Sequence, residues 1–358
     1  MQTISTATMT ETELSIISDI ASEKIPGFTP NGPITPVDGG LLNQVWRLDG
    51  NPQPIIVKHA PPYIATNHEI PLDPERQLFE ARALGLFRKN AILHSLQNSY
   101  IKVPELKSHV ADRHILLLED AGVDVKSLDQ LSHPKMDDER IGTALAEFIA
   151  GIHARTTGNR SLAQSMENGS IQKSRYMIQY QPASRYLLKA GIPDYESLGR
   201  ELEALGRQFM KPGKCLIMGD LWPRSLLWNG SIWYLIDWEF SHYGSPAQDT
   251  GHLLAHLWML EHRSTDRETG RRFSAIKNAF IKTYQEKIIA EKPDLISEEI
   301  KRETILHAAA EVIARTTGAF QKGYLYAGLE AEDPTVQEAV RKAAEWIRGS
   351  ENANIKCD

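Results

Sequence analysis

Three acids stand inside apolar runs of this 358-residue sequence: Asp220 in KCLIMGDLW, and Asp237 and Glu239 in IWYLIDWEF. Between the runs lies Asn229-Gly230, the dipeptide that most strongly signals a tight hairpin. With that pair as a two-residue turn, Trp228 would face Ser231, and Asp237 would face Trp222, two positions from Asp220. In extended backbone Asp237 and Glu239 point to the same side. The hairpin would thus gather three carboxylates at its open end, where they repel unless a cation sits among them. Hard oxygen ligands of this kind suit Mg²⁺, which keeps water and takes phosphate oxygens from a nucleotide. The plain alternative is that the acids are solvated turn residues. Against it, burying an unpaired carboxylate within apolar sequence is costly.

Lys58 poses the same problem with the opposite sign. It stands in the β-rich run IIVKHA, where a charge needs either a partner or a route for its stem to solvent. Upstream, Gly39-Gly40 interrupts the strand pattern, with Asn43 just after. Glycines lack Cβ atoms, so such a turn can approach a phosphate closely, although a Gly-Gly pair is also an ordinary turn.

Elements must bring these residues together. Residues 34–58 read as strand, glycine turn, strand, turn, strand. Residues 71–88 read as a helix, with Leu78, Leu84 and Phe87 near helical spacing. VPELKSHVADRHILLLEDAG supplies two more strands, the second an apolar run expected to be buried. A short amphipathic helix at 11–24 precedes them. After Gly122 the pattern turns helical, at 137–155, 194–209, 248–262, 270–291, 298–320 and 334–348, interrupted by the hairpin at 215–236. The expected class is α+β in two lobes. Residues 1–120 form a small antiparallel-sheet lobe with one long helix, 121–128 a linker, and 129–358 a larger helical lobe.

Composition narrows the function classes. Forty Lys and Arg against 46 Asp and Glu give a net charge of −6. Without a basic stripe there is no electrostatic reason to expect nucleic acid or an anionic membrane surface as a partner. Two cysteines, Cys215 and Cys357, cannot build a disulfide framework. No apolar run reaches the ~20 residues needed to span a bilayer, and MQTISTATMTETELS lacks the features of a signal peptide. A cytoplasmic location is the expectation.

MGDLWPRSLLW followed by YLIDWEFSHYGSPAQDTG resembles the catalytic-loop and metal-loop pair of the aminoglycoside phosphotransferase/choline kinase superfamily. IIVKHAPPYI, PLDPERQLFEARAL and the order Gly-Asp-Leu-x-x-x-Ser are similar to its methylthioribose kinase branch. Asp-Leu-Trp and Asp-Trp-Glu are similar to a fungal branch that includes a 4-hydroxytryptamine kinase. The resemblance runs from about residue 35 to 320. It implies a bilobal protein-kinase-like fold, ATP and Mg²⁺ as cofactors, and a small-molecule hydroxyl as phosphoryl acceptor.

Carried over residue by residue, the resemblance makes Asp220 catalytic. Asp237, Glu239 and Ser225 become the magnesium candidates. The loop of Gly39, Gly40 and Asn43 would lie over ATP. Lys58 would contact the phosphates and pair with Glu80, for which Glu75 is the competing candidate. The backbone of Glu119 and Ala121 would hold adenine, and Asp249 would brace the catalytic loop. His153 reads as a buried structural histidine. Arg315 matches the second of two arginines that hold the sugar in methylthioribose kinases. Trp222 and Trp238, near the site, would suit an aromatic acceptor. A homodimer is left open.

Three positions depart from the family pattern. Met218 replaces the usual histidine before Gly219-Asp220. Arg224 replaces a small residue and is expected to bring bulk beside the metal site. Ala314 replaces the first sugar-binding arginine, which counts against methylthioribose as the substrate. Beside the kinase reading stand an inactive, binding-only version of the fold and a version adapted to another reaction.

Overall fold

The computed structural model describes residues 11–37, 40–131 and 137–350. Gly39 lies outside the described residues.

The chain opens with helix α1 (Glu11–Lys24) and strands β1 (Thr29–Pro36), β2 (Gln44–Asn51) and β3 (Ile55–His59). A small ribbon of β4 (Tyr63–Ile64) and β5 (Asn67–Pro71) leads to α2 (Arg76–Gly85). After β6 (Ile101–Lys102) come β7 (Leu106–Val110) and β8 (Ile115–Glu119). Strands β1, β2, β3, β8 and β7 form one antiparallel sheet in that order. Side chains of β8 alternate between its faces. Ile115 and Leu117 join Ile55, Val57 and the α1 residues Ile17 and Ile20 in a small core. Leu116 and Leu118 join Ala81 and Leu84 of α2 in the main core. Lys58 lies opposite Leu116 in the sheet, which puts it on the α2 face.

The second lobe begins with β9 (Lys126–Ser127), α3 (Asp138–Thr156), α4 (Arg160–Ser165) and α5 (Gly169–Arg175). A π-helical turn, Tyr176–Tyr180, follows, then α6 (Ala183–Lys189) and α7 (Tyr195–Phe209). Four short strands come next: β10 (Cys215–Ile217), β11 (Leu226–Trp228), β12 (Trp233–Leu235) and β13 (His242–Gly244). The chain closes on α8 (Pro246–His262), α9 (Arg267–Glu291), α10 (Glu298–Thr316) and α11 (Pro334–Gly349). Helices α3, α8, α9 and α10 all pack into the main hydrophobic core. Among the described residues, no helix is long and apolar enough to cross a membrane.

The hairpin differs from the two-residue turn expected. Trp228 pairs with Trp233 and Leu226 with Leu235, so the loop spans Asn229 to Ile232. The Asn229 side chain is the cause. Its Oδ1 accepts from the N–H groups of Ser231 and Ile232 and from the Ser231 hydroxyl, and its Nδ2 donates to the Ala121 carbonyl in the linker. Such an Asx arrangement satisfies a wider turn than type I′. The register moves by two residues, and Asp237 leaves extended backbone altogether, with φ +66°. The hairpin pairing therefore does not set Asp237 opposite Trp222.

Candidate active site

The lysine on β3 is buried, and a buried ammonium needs compensation. It has three carboxylates: Glu80 Oε2 and Asp237 Oδ1, each 2.7 Å from Lys58 Nζ, and Glu239 Oε1 at 3.9 Å. Burial alone would depress the lysine, but the three acids outweigh it and hold the ammonium well above its ordinary value. Glu80 is pushed upward, chiefly by burial and further by Glu239 and Asp237, with Lys58 opposing. Of the two glutamates on offer, α2 thus presents Glu80 to Lys58. Glu75 lies at the exposed start of the helix, 3.9 Å from His114.

Behind this group sits a residue that the sequence reading missed. Arg76 is wholly buried at the first turn of α2. Its Nε donates to Glu239 Oε2 at 2.7 Å, and its terminal nitrogens donate to the carbonyls of Leu42, Pro61, Leu72 and Asp73 and to Asn43 Oδ1. Asn43 Nδ2 in turn donates to Glu239 Oε1 at 2.6 Å. These contacts bear on the metal assignment of Glu239 and the phosphate assignment of Asn43. Glu239 has both oxygens committed to Arg76 and Asn43, and the Asn43 amide is turned inward to the same knot rather than toward a phosphate. One signal was legible: a cation in the first turn of a helix opposes the helix dipole and asks for a reason.

The catalytic-loop candidate is built from β10. Asp249, from α8, accepts from the N–H groups of Met218 and Gly219, each at 2.8 Å. His153 pairs with Asp249 at 3.3 Å and with the Tyr284 hydroxyl at 2.8 Å, a fully buried structural histidine. Met218 itself is buried in the core. Gly219 has φ +82°, and a Cβ there would run into the Phe240 carbonyl. That contact, the Ile217–His242 pairing and the Ser241 hydroxyl on the Met218 carbonyl press the Asp220 loop against the Asp237–Phe240 loop.

Asp220 Oδ1 accepts from Arg175 Nη2 at 2.6 Å. Ser225 is fully buried, and its hydroxyl donates to the carbonyls of Trp222 and Asp220. In this structure it braces the loop. Arg224 does not crowd the metal site. It turns outward, donating to Asp129 Oδ2 and the Gly323 carbonyl and lying over the rings of Tyr324 and Trp222.

One substrate-binding candidate falls and another stands in place. Trp238 is fully buried, packs edge-on against Phe87 and donates its indole N–H to the Leu235 carbonyl, so it is core. Trp222 is only partly buried, meets His256 tilted and Tyr324 edge-on, and lies under the guanidinium of Arg315. Arg315 Nε donates to Glu311 Oε1 at 2.8 Å. Ala314 is buried, so the helix offers no second cation at that step.

In the strand leading to the linker, Glu119 donates its N–H to the Glu105 carbonyl, while its side chain takes Lys102 and Tyr234. The Ala121 carbonyl accepts from Asn229. Gly40 is tight as well, since a Cβ there would meet the Asn43 carbonyl at 3.0 Å.

A sequence profile described as the phosphotransferase enzyme family matches residues 33–280. A 4-hydroxytryptamine kinase of Psilocybe cyanescens is 26% identical over 293 residues, covering 76% of this chain and 79% of the relative. A methylthioribose kinase of Exiguobacterium sibiricum is 26% identical, covering 70% of this chain and 67% of its own. The fold is also that of a choline kinase crystal structure from Cryptosporidium parvum, with a TM-score of 0.55, 13% identity, and coverage of 94% of this chain and 95% of that one.

Proposed function

The chain belongs to the phosphotransferase enzyme family and is a small-molecule phosphotransferase, and we propose that it transfers the γ-phosphoryl group of ATP to an acceptor hydroxyl with Mg²⁺. The observation that carries this reading is the double ion pair of Lys58 with Glu80 and Asp237. It ties the sheet, α2 and the metal loop at one ammonium, the arrangement required of a lysine that meets nucleotide phosphates in kinase-like sites.

The residues fit a magnesium ion. Glu80, Asp237 and Glu239 face Lys58 and Arg76, three carboxylates against two cations, so one negative charge is left over. Asp237 is the acid with room for a ligand, its side chain 45% exposed. Asp237 would hold the ion, as suits a cation that dehydrates reluctantly and takes few protein ligands. When bound, Mg²⁺ supplies positive charge between the phosphates. Lys58 neutralises them from the sheet, Glu80 holds Lys58 in place, and Glu239 and Asn43 hold the loops through Arg76. Gly40 lies over the phosphates, and backbone of Glu119 and Ala121 takes the adenine.

Asp220 orients the acceptor hydroxyl and receives its proton. The hydroxyl oxygen bonds to the γ-phosphorus, the bond to the β–γ bridging oxygen breaks, and ADP leaves. Little covalent work falls to the protein, so positioning and charge supply most of the acceleration. The acceptor lies against Trp222 and Arg315. With Ala314 in place of a second arginine, this wall favours a flatter, less polar alcohol than a sugar. The test is phosphorylation of methylthioribose, choline, an aminoglycoside and hydroxylated indoles at matched concentration. A hydroxyindole should lead, and a much higher specificity constant for methylthioribose would overturn the acceptor reading. Turnover of none, with no Mg²⁺-dependent ATP binding, would leave the binding-only reading.

A further inference from the structure

We propose that Arg175 is the positioning residue for Asp220, and that Glu311 behind it couples this duty to the acceptor wall. The inference rests on the kinase reading of the site. Neither residue was singled out by motif, and Arg175 lies in a stretch, 160–189, where the sequence pattern gave no element.

The helix that carries Arg175 is fastened at both ends to the two functional loops. At its start, Asn168 Nδ2 donates to the carbonyls of Glu239 (3.0 Å) and Ser241 (3.2 Å) on the metal loop. At its end, Arg175 reaches the Asp220 loop. Between them, Gln172 Nε2 donates to the Phe209 carbonyl. Helix α5 is therefore a strut that fixes the catalytic loop relative to the metal loop.

The Arg175 guanidinium is held on every side. It is almost wholly buried, lies 5.0 Å from the centre of the Phe240 ring, and gives Nη2 to Asp220 Oδ1 and Nη1 to Gln179 Oε1 at 3.1 Å. Its Nη1 is 3.9 Å from Glu311 Oε2. Gln179 stands in the π-helical turn that follows α5, and such turns recur at functional sites. The Gln179 amide passes the contact on, donating to Glu311 Oε2 at 2.9 Å. Glu311 Oε1 then holds His256 at 3.0 Å and Arg315 at 2.8 Å, both of which lie against the Trp222 ring.

Two consequences follow for the reaction. One oxygen of Asp220 is pinned by a bidentate-capable cation that cannot move, which fixes the carboxylate's rotation. The other has no partner among the described residues and, with the side chain one-fifth exposed, is left for the acceptor hydroxyl. The acceptor wall and the proton acceptor also share one buried charge chain, Asp220–Arg175–Glu311–Arg315. An acceptor seated on Trp222 thus meets an Asp220 whose direction is already set, the condition for a near-attack arrangement.

The experiment compares wild type, Arg175→Lys and Arg175→Gln in the full chain. Mg·ATP affinity by calorimetry and turnover of the best acceptor from the panel above are measured together. The expected split is a turnover loss of about 10–100-fold for Arg175→Gln, partly restored by Arg175→Lys, with Mg·ATP affinity within about threefold. Parallel loss of turnover, nucleotide affinity and melting temperature would assign Arg175 a purely structural role and overturn the proposal. Hydrogen exchange of the ligand-free proteins needs no turnover. Arg175→Gln should speed exchange at residues 219–222 by about tenfold while protection of Lys58 and Glu80 backbone is unchanged. An unaltered catalytic loop in that variant overturns the proposal, whatever nucleotide the protein binds. Loss of nucleotide binding in the wild type instead strikes the kinase reading.

Discussion

Lys58 Nζ lies 2.7 Å from Asp237 Oδ1, although 179 residues separate them in the chain. The contact closes the sheet of the first lobe onto the metal loop of the second. It gives each residue a distinct duty, since Lys58 is buried and Asp237 is nearly half exposed. The lysine is a fixed charge and the aspartate is the group with a vacant side.

The two aspartates should separate under mutation. Asp220→Asn should cut turnover by about 10²–10⁴-fold, the usual worth of a positioned general base, with Mg·ATP affinity nearly unchanged. Asp237→Ala should abolish the Mg²⁺-dependent part of nucleotide binding. Steady-state kinetics with calorimetry on both variants checks this, and the reverse pattern would mean that the roles are exchanged.

Arg76 should matter for stability before it matters for turnover. Arg76→Met removes one half of a buried ion pair and leaves Glu239 with only Asn43 and the more distant Lys58, a class of change that costs about 3–5 kcal/mol. The double variant Arg76→Met/Glu239→Gln should recover part of that loss. Urea unfolding of the three proteins measures it, and additive losses in the double variant would contradict the pairing.

Acid should destabilise the helical lobe through its buried histidines. Burial lowers His242 to about 4 and His252 to about 3, against 6.5 in the unfolded chain. Both are neutral when folded and take up protons on unfolding below pH 6.5. Their contribution is therefore full above about pH 6.5 and falls by about 1.4 kcal/mol per pH unit per histidine down to the folded values. Glu80, pushed upward by burial, works in the opposite sense, so the comparison with His242→Gln/His252→Gln is the readout. That variant should show a flatter decline in melting temperature between pH 6.5 and 4.5, and an identical slope would contradict the assignment.

The tryptophans should part company as well. Trp238→Ala empties a filled core position and should cost about 3–5 kcal/mol. Trp222→Ala should cost less and instead raise the acceptor KM several-fold while sparing Mg·ATP affinity. Denaturation and acceptor kinetics on the same preparations decide the matter. Equal destabilisation with an unmoved KM would make Trp222 core too.

What the sequence disclosed follows physical lines. The lysine in an apolar strand and the acids in apolar runs stood out because burying them has a known cost, and Lys58, Glu80 and Asp237 do converge. Long amphipathic helices such as α3 (Asp138–Thr156) and α9 (Arg267–Glu291) were readable because many turns repeat one pattern. Short elements were not. Helix α5 has seven residues and runs into a π turn, so no period develops, and Arg175 stayed invisible with it. The hairpin register was misread because Asn229 uses its side chain, not its backbone angles, to shape the loop. Glu239, Asn43 and Ser225 were placed by type, while their actual partners, above all Arg76, are set by packing across the two lobes.

The most direct measurement is a Mg·ATP titration of the full chain, with and without Mg²⁺, beside Lys58→Ala. Saturable binding in the micromolar to millimolar range usual for enzyme substrates should appear only with the metal. It should weaken at least tenfold in Lys58→Ala, whose carboxylate partners then repel the phosphates. Absence of Mg²⁺-dependent nucleotide binding in a folded wild-type protein, or equal binding by the variant, would contradict the account.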